Sequence, residues 1–365
     1  LRSEILAAWE ARLRPLLVRL PPPLAVRLYS WGRRRFLAAF ERPPSATFAP
    51  EGLDRTLWGI RFRSPILNAA GVFKSGAGYA VVAAQGAGGY LAGTTTATPR
   101  HGNRRRGVTL PFAPYPRSRS ASNWLGLPNP GHRAVAERLR RLERVDGCPV
   151  GASVAACPEA ASREEAVAGV AAGMRLFEQA GVDFLELNES CPNTGEERRD
   201  LGTRLSYLGD AFLAGRRRQL PVVVKFSCDT AISEVASLVG LLLDRGFDGI
   251  NFGNTSVDYP RRRRAIDPAE RALFDHFIAT FGGGVSGRPL RATSLELAAQ
   301  AVEEVRRRAP GREFHVVRTG GVEGAGDLRR SRAAGVALDQ WYTGYFEAFS
   351  RHGHDLYRRL YHELE

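Results

Sequence analysis

From Leu57 onward the chain alternates short apolar runs with helix-period segments, and few folds can absorb that rhythm. Runs of strand length occupy Ile66–Ala70, Tyr90–Gly93, Pro149–Val154, Asp183–Leu187, Pro221–Phe226, Gly249–Phe252, His315–Arg318 and Leu338–Tyr342. Between most of them apolar residues recur at helical spacing, over Tyr79–Gln85, His132–Leu142, Arg163–Ala180, Ser233–Arg245, Ser294–Arg308 and Gly324–Ala334. A weaker segment, Thr203–Arg218, and a last one from Tyr345 complete the series. Near-continuous apolar strands joined by amphipathic helices read as a parallel sheet covered on both faces. Eight such units predict an α/β fold, the (β/α)8 TIM barrel, whose ~250 residues leave room here for insertions. A doubly wound open sheet is the alternative. It usually has fewer strands and a glycine-rich turn after the first, and no such fingerprint follows Ile66–Ala70.

Residues 1–42 differ in character, so the expected division is a helical extension over 1–42 and a catalytic barrel over 43–365. Leu1–Leu20 and Leu24–Phe40 carry apolar residues at helical spacing with Arg elsewhere, and Pro21-Pro22-Pro23 separates them. That pattern predicts two short amphipathic helices, suited either to a membrane surface or hydrophobic ligand, or to capping the barrel. The proline-bounded stretch from Pro43 to Pro50 reads as a linker. No run approaches the ~20 apolar residues of a membrane span, so any membrane contact is expected to be peripheral, on the cytoplasmic side. The formal charge of +14 comes largely from scattered Arg runs without interleaved aromatics, which read as solvated faces rather than a nucleic-acid surface. Cys148, Cys157, Cys191 and Cys228 lack metal-ligand spacing and sit in or beside apolar segments. Free thiols in a reducing compartment, and no metal, are the expectation.

On a barrel, chemistry belongs at the C-terminal ends of the strands. The fourth run stops at Asn188 and is followed at once by Glu189-Ser190-Cys191-Pro192-Asn193-Thr194-Gly195, which puts two carboxamides and a thiol together. A hairpin turn with an incidental buried cysteine is the plainer reading of that stretch. The other strand ends add Ala70, Gly71 and Lys74, then Thr94, Asn123, Gly126 and Asn129, then Ser153, Lys225, Asn251, Asn254 and Thr255. Asparagine donates and accepts in one plane, so a ring of it suits a flat heterocycle with amide edges. Lys74 and Lys225 are the only lysines in an Arg-rich chain, which points to places where a compact charge on a flexible stem is needed. After the seventh and eighth strands, Thr319-Gly320-Gly321-Val322 and Tyr342-Thr343-Gly344 each precede a helix, the usual phosphate site of such barrels. Two long segments that follow strands, Thr94–Gly131 and Asn254–Arg291, are expected as structureless loops over the catalytic face.

These pieces, in this order, resemble the dihydroorotate dehydrogenase family, FMN-containing (β/α)8 barrels of pyrimidine synthesis. The resemblance spans Leu57–Phe349. It rests on Asn68-Ala69-Ala70-Gly71 with Lys74, Gly93-Thr94-Thr95-Thr96, Asn123-Trp124-Leu125-Gly126-Leu127-Pro128-Asn129, Asn188-Glu189-Ser190-Cys191-Pro192-Asn193 and Val224-Lys225. Further on it rests on Asn254-Thr255, Gly283-Gly284-Val285-Ser286-Gly287-Arg288-Pro289-Leu290, Thr319-Gly320-Gly321 and Tyr342-Thr343-Gly344.

The resemblance implies that Cys191 is the base taking a proton from C5 of dihydroorotate while C6 gives hydride to the flavin. It implies that Lys74, Asn123, Gly126, Leu127, Asn188, Asn193, Asn254 and Thr255 hold the pyrimidine. FMN is then held by Ala70, Gly71, Lys74, Thr94, Ser153, Asn188, Lys225, Gly253, Ser286, Gly287, Gly320, Gly321, Tyr342, Thr343 and Gly344, with Lys225 near the flavin's N1–C2 edge. The family's quinone-reducing, membrane-bound class has an N-terminal helical pair like residues 1–42 but normally a Ser base and an Asn where Ser153 stands. Its soluble class, reducing fumarate or NAD, normally has Cys and the Gly-Leu-Pro-Asn of 126–129. Glu189 is unusual for either. A membrane-interface extension is hard to explain for a soluble acceptor, so quinone is the expected acceptor, with fumarate or NAD as the alternative. A dihydrouracil-type dehydrogenase and a flavin-binding barrel without activity are the remaining readings.

Overall fold

The computed structural model describes residues 3–38, 40, 45–189 and 201–365. Eight strands, Ile66–Asn68, Tyr90–Thr95, Val150–Val154, Phe184–Asn188, Val222–Ser227, Gly249–Asn254, His315–Thr319 and Leu338–Trp341, form one parallel sheet. Its order runs from the first strand to the eighth, then back through the seventh, sixth, fifth, fourth and third to the second. The first two strands, at the ends of that order, meet through a parallel bridge between Phe73 and Ala92. Across the same seam Gly71 N–H donates to Gly93 O at 2.6 Å and Asn68 Nδ2 donates to Leu91 O at 2.8 Å. The sheet is thus the TIM barrel that the strand–helix rhythm predicts, with strand ends shifted by a residue or two.

Period-two alternation decides what lies inside the barrel. Leu67, Leu91, Phe184, Val223, Val317 and Leu338 cluster in its lower half with Leu57, Trp58 and Phe62. The last three come from a hairpin, Arg55–Leu57 with Ile60–Phe62, that the sequence reading did not anticipate. Trp58 Nε1 donates to Asp248 O at 3.1 Å and anchors it. Two residues further along the strands stand Ser153, Glu186, Lys225, Asn251, Thr319 and Gln340, all buried. The interior therefore turns from apolar to polar halfway up, which is where a polar ligand can be received. Residues of opposite parity, such as Leu185, Leu187, Val222, Val224, Ile250 and Val316, face the helices in the main core.

The two insertions are not structureless. Phe112–Tyr115, Ser120–Asn123 and Gly284–Gly287 pair as a three-stranded antiparallel sheet, with Gly284 opposite Asn123 and Gly287 opposite Ser120. The second insertion also folds into helices Tyr259–Arg264 and Arg271–Phe281. Sheet and helices share a core of Ala113, Tyr115, Phe274, Phe277, Phe281 and Val285. A partner in a distant insertion is invisible to local pattern, which is why each read as a loop.

The N-terminal helices are Ser3–Leu17 and Pro22–Ala38. Two of the three prolines fall in the first turn of the second helix, where a missing N–H costs nothing. Both helices dock on the catalytic face. Arg14 Nη1 donates to Glu347 Oε1 at 2.5 Å, His354 N–H donates to Glu4 Oε1 at 2.8 Å, and Phe112 N–H donates to Ser30 Oγ at 3.0 Å. Phe36 and Phe40 stack edge-on against Phe349 and Phe73. The outer side remains apolar: Ile5, Trp9, Leu13 and Leu16 are exposed along one face of the first helix, as are Leu24 and Trp31 on the second. Among the described residues no helix is long and apolar enough to cross a membrane.

Candidate active site

At the C-terminal mouth of the barrel lies an open cleft. Ala70, Gly71, Lys74, Thr94, Asn123, Leu127, Asn188, Lys225, Gly253, Asn254 and Thr255 line it. So do Ser286, Gly287, Gly320, Gly321, Tyr342, Thr343 and Gly344. Nearly every residue expected at the site is thereby gathered on one surface.

The carboxamides are ordered by their own hydrogen bonds. Asn254 Nδ2 donates to Asn188 Oδ1 at 2.6 Å, and Asn188 Nδ2 donates to Thr94 Oγ1 at 3.1 Å. Thr94 Oγ1 and Ser153 Oγ are 3.0 Å apart, and Ser153 Oγ donates to Glu186 Oε1 at 3.1 Å. These bonds fix the orientation in which the carboxamides face the cleft. Lys225 Nζ stands 3.5 Å from Glu186 Oε1 and donates to Gln340 Oε1 at 3.3 Å. Lys225 is thereby held at the floor of the cleft rather than free to reach out of it.

Glycine is required at the narrow points. A Cβ on Gly253 would lie 2.3 Å from Thr319 O, and one on Gly344 would lie 2.2 Å from Val322 O. Gly320 and Gly321 have φ of +108° and +72°, the left-handed region open to glycine. They follow the seventh strand and precede the helix Ala325–Ala333, while Tyr342 and Thr343 open the helix Thr343–His352. Two helix N-termini thus converge on one side of the cleft, an arrangement that attracts anions. Behind them Ser294 Oγ donates to Gly320 O at 2.6 Å, and buried Arg318 donates to Ser294 Oγ and Arg291 O at 3.1 and 2.9 Å.

Some expected residues fall elsewhere. Ser153 is buried beneath the cleft and reaches its wall only through Thr94. Gly126 is not on the wall: its φ of +69° makes the turn that presents Leu125 and Leu127. Asn129 holds that turn, accepting from Thr96 N–H at 3.2 Å and Gly131 N–H at 2.8 Å. Cys191 and Asn193 lie outside the described residues. Glu189 precedes them, and its buried carboxylate accepts from Nε and Nη2 of Arg204 at 3.1 and 2.8 Å. Burial raises the Glu189 pKa, and the guanidinium opposes that rise. Desolvation pushes the thiols of buried Cys148 and Cys228 up to about 12, which suits inert core residues.

Sequence reasoning missed three polar residues of the floor: Thr319, as a network member, and Gln340 line the cleft, and Glu186 lies beneath it. Their signal was the parity of the strands: Phe184, Glu186 and Asn188 share one face, as do Leu338 and Gln340.

A second cavity, an open groove, runs between the N-terminal helices and the barrel. Leu6, Ala7, Tyr29, Trp31, Phe36, Phe112 and Phe346 make it largely apolar, while Glu10, Arg14, Arg33 and Glu347 bring charge. Tyr342 and Thr343 line both this groove and the cleft.

The family model for dihydroorotate dehydrogenase matches residues 52–364. The dihydroorotate dehydrogenase (quinone) of Salinispora arenicola is 33% identical over 346 residues, covering 92% of this chain and 94% of that protein. That of Parvibaculum lavamentivorans is 30% identical over 331 residues, covering 90% and 87%. The crystal structure of Eimeria tenella DHODH in complex with ferulenol superposes with a TM-score of 0.72 over 94% of this chain and 90% of that one. At 20% identity it speaks for the fold. With the whole barrel matched and the relatives aligned along most of their length, this chain belongs to the dihydroorotate dehydrogenase family of oxidoreductases.

Proposed function

We propose that the protein is an FMN-dependent dihydroorotate dehydrogenase of pyrimidine (UMP) biosynthesis that delivers its electrons to a quinone at the N-terminal helices. The observation that carries the reading is Tyr342, one side chain that walls both the polar cleft and the apolar groove. The relatives named as quinone enzymes support the same acceptor.

The cleft's residues suit FMN. The amide and ammonium groups of Asn188, Gln340 and Lys225 match a flat ring with imide edges, and the glycine turns at Gly287, Gly320 and Gly321 with the helix starts near 325 and 343 match a phosphate. Bound there, FMN supplies hydride acceptance from C6 of dihydroorotate and onward transfer of two electrons. Asn123, Asn188, Asn193, Asn254 and Thr255, with Lys74, bind and orient the pyrimidine. Cys191 removes the C5 proton, a task for which a thiol of pKa ~8.5 is far better placed than a hydroxyl. Leu125 and Leu127 cover that side and exclude water. The exposed apolar stripe Ile5–Trp9–Leu13–Leu16, beside many arginines, seats the groove's mouth on an anionic membrane interface.

Anaerobic dihydroorotate should bleach the yellow protein, and a long-chain quinone should restore its colour faster than fumarate or NAD. A protein that stays yellow overturns the activity. Bleaching by dihydrouracil alone moves the substrate, and faster recovery with fumarate or NAD moves the acceptor.

A further inference from the structure

The centre of the barrel holds a carboxylate that no step above uses. Glu186 is 1% exposed and lies one layer below the cleft, so it cannot touch a ligand there. Its Oε2 accepts from Gln340 Nε2 at 2.8 Å and Asn251 Nδ2 at 3.1 Å. Its Oε1 accepts from Ser153 Oγ at 3.1 Å and faces Lys225 Nζ at 3.5 Å. With Ser153 donating downward, the donors run in one direction, from Asn254 through Asn188, Thr94 and Ser153 to this carboxylate. Both carboxylate oxygens are therefore occupied, one by two amide donors and the other by a hydroxyl and an ammonium.

Burying a charge at this depth costs several kcal/mol unless it is fully compensated. The positions just below, Phe184 and Leu338, show that the same barrel packs apolar groups without difficulty. The charge therefore has a use, and among the described residues its ion-pair partner is Lys225, which lines the cleft.

We propose that Glu186 is a positioning residue that fixes Lys225 at the floor of the cleft and offsets its charge, lowering the reduction potential of a flavin bound there. The proposal rests on the FMN reading above. Lys225 would face the negative charge that a flavin bound in the cleft would gain on reduction. Lys225 alone would stabilise that charge strongly and hold the electrons. With the carboxylate 3.5 Å behind the ammonium, the field above is weaker and the electrons leave more readily. In a low-dielectric interior a unit charge at such distances is felt strongly.

The test is the two-electron potential of FMN-loaded protein, measured anaerobically against a reference dye at pH 7. Glu186→Gln and Glu186→Met both remove the charge, one keeping the hydrogen-bonding shape and one not. Each should favour the reduced flavin at least tenfold, an upward shift of about 30 mV. Glu186→Asp keeps the charge and should stay within a twofold change, about 9 mV. Lys225→Met should shift the potential downward. Equal potentials in the wild type and the Gln and Met variants, or an Asp variant that moves as far as they do, overturn the proposal. If the wild type takes up no flavin at all, the FMN reading fails instead, and the two failures are distinct.

Discussion

Arg33 Nη2, on the second N-terminal helix, donates to the Tyr342 hydroxyl at 2.7 Å, and the Tyr342 ring lies 3.4 Å from where a Cβ on Gly71 would stand. The extension is therefore tied by a charged hydrogen bond to the wall of the cleft itself. Arg33→Ala should loosen that wall without removing any group assigned to dihydroorotate. Flavin reduction by dihydroorotate is expected to change less than threefold, while reoxidation by quinone slows by about tenfold, the loss of one charge-assisted hydrogen bond of ~1.5–3 kcal/mol. Stopped-flow of the two half-reactions separates them.

The base is tested through its ionisation. Cys191→Ala should bind FMN yet lose flavin reduction by about 10²–10⁴-fold at neutral pH, with partial recovery as hydroxide rises. Cys191→Ser should fall between, because its hydroxyl is far less ionised than a thiol. Near-normal reduction in the Ala variant would remove Cys191 from the mechanism.

His132 gives the fold an acid limit. It is buried, with its Nδ1 2.8 Å from Thr95 Oγ1, and desolvation lowers its pKa from 6.5 to about 4. Between those values the unfolded chain binds a proton that the folded chain does not. Stability should therefore fall as pH drops through that window, by an amount on the order of 3 kcal/mol once both forms are protonated. His132→Gln should flatten the acid side of a urea-midpoint-versus-pH curve; an unchanged slope would show that other groups set it.

The eight strands were legible because each is a continuous apolar run bounded by turn residues, and the cleft followed because barrel chemistry gathers at strand ends. The polar layer was harder. Glu186 looks like a lone charge in the apolar run 184–187, and only its parity with Phe184 and Asn188 turns it inward. Ser153, expected on the cofactor, stands behind Thr94 in the layer beneath the cleft wall. The antiparallel pairing of Gly284–Gly287 with Ser120–Asn123 depends on register between segments some 160 residues apart, for which the sequence carries no local mark.

The membrane face can be tested without touching the cleft. Trp9 and Leu16 are 63% and 62% exposed, so charging them costs the fold little. Trp9→Asp with Leu16→Asp should weaken binding to anionic vesicles by more than tenfold and leave flavin reduction unchanged. Unaltered vesicle binding would place the membrane contact elsewhere.

In the proposed mechanism electrons enter at the barrel mouth and leave through the N-terminal groove. Gly32 lines that groove, and a Cβ added there meets nothing within 4 Å. Gly32→Leu should fold at least as well, since leucine is the better helix former by about 0.5–1 kcal/mol, while filling the space a quinone would use. The measurement is the pair of half-reaction rates in this variant beside the wild type. Flavin reduction by dihydroorotate should be unchanged and reoxidation by a long-chain quinone should slow at least tenfold. Equal quinone reoxidation in the two proteins would contradict the groove as the exit.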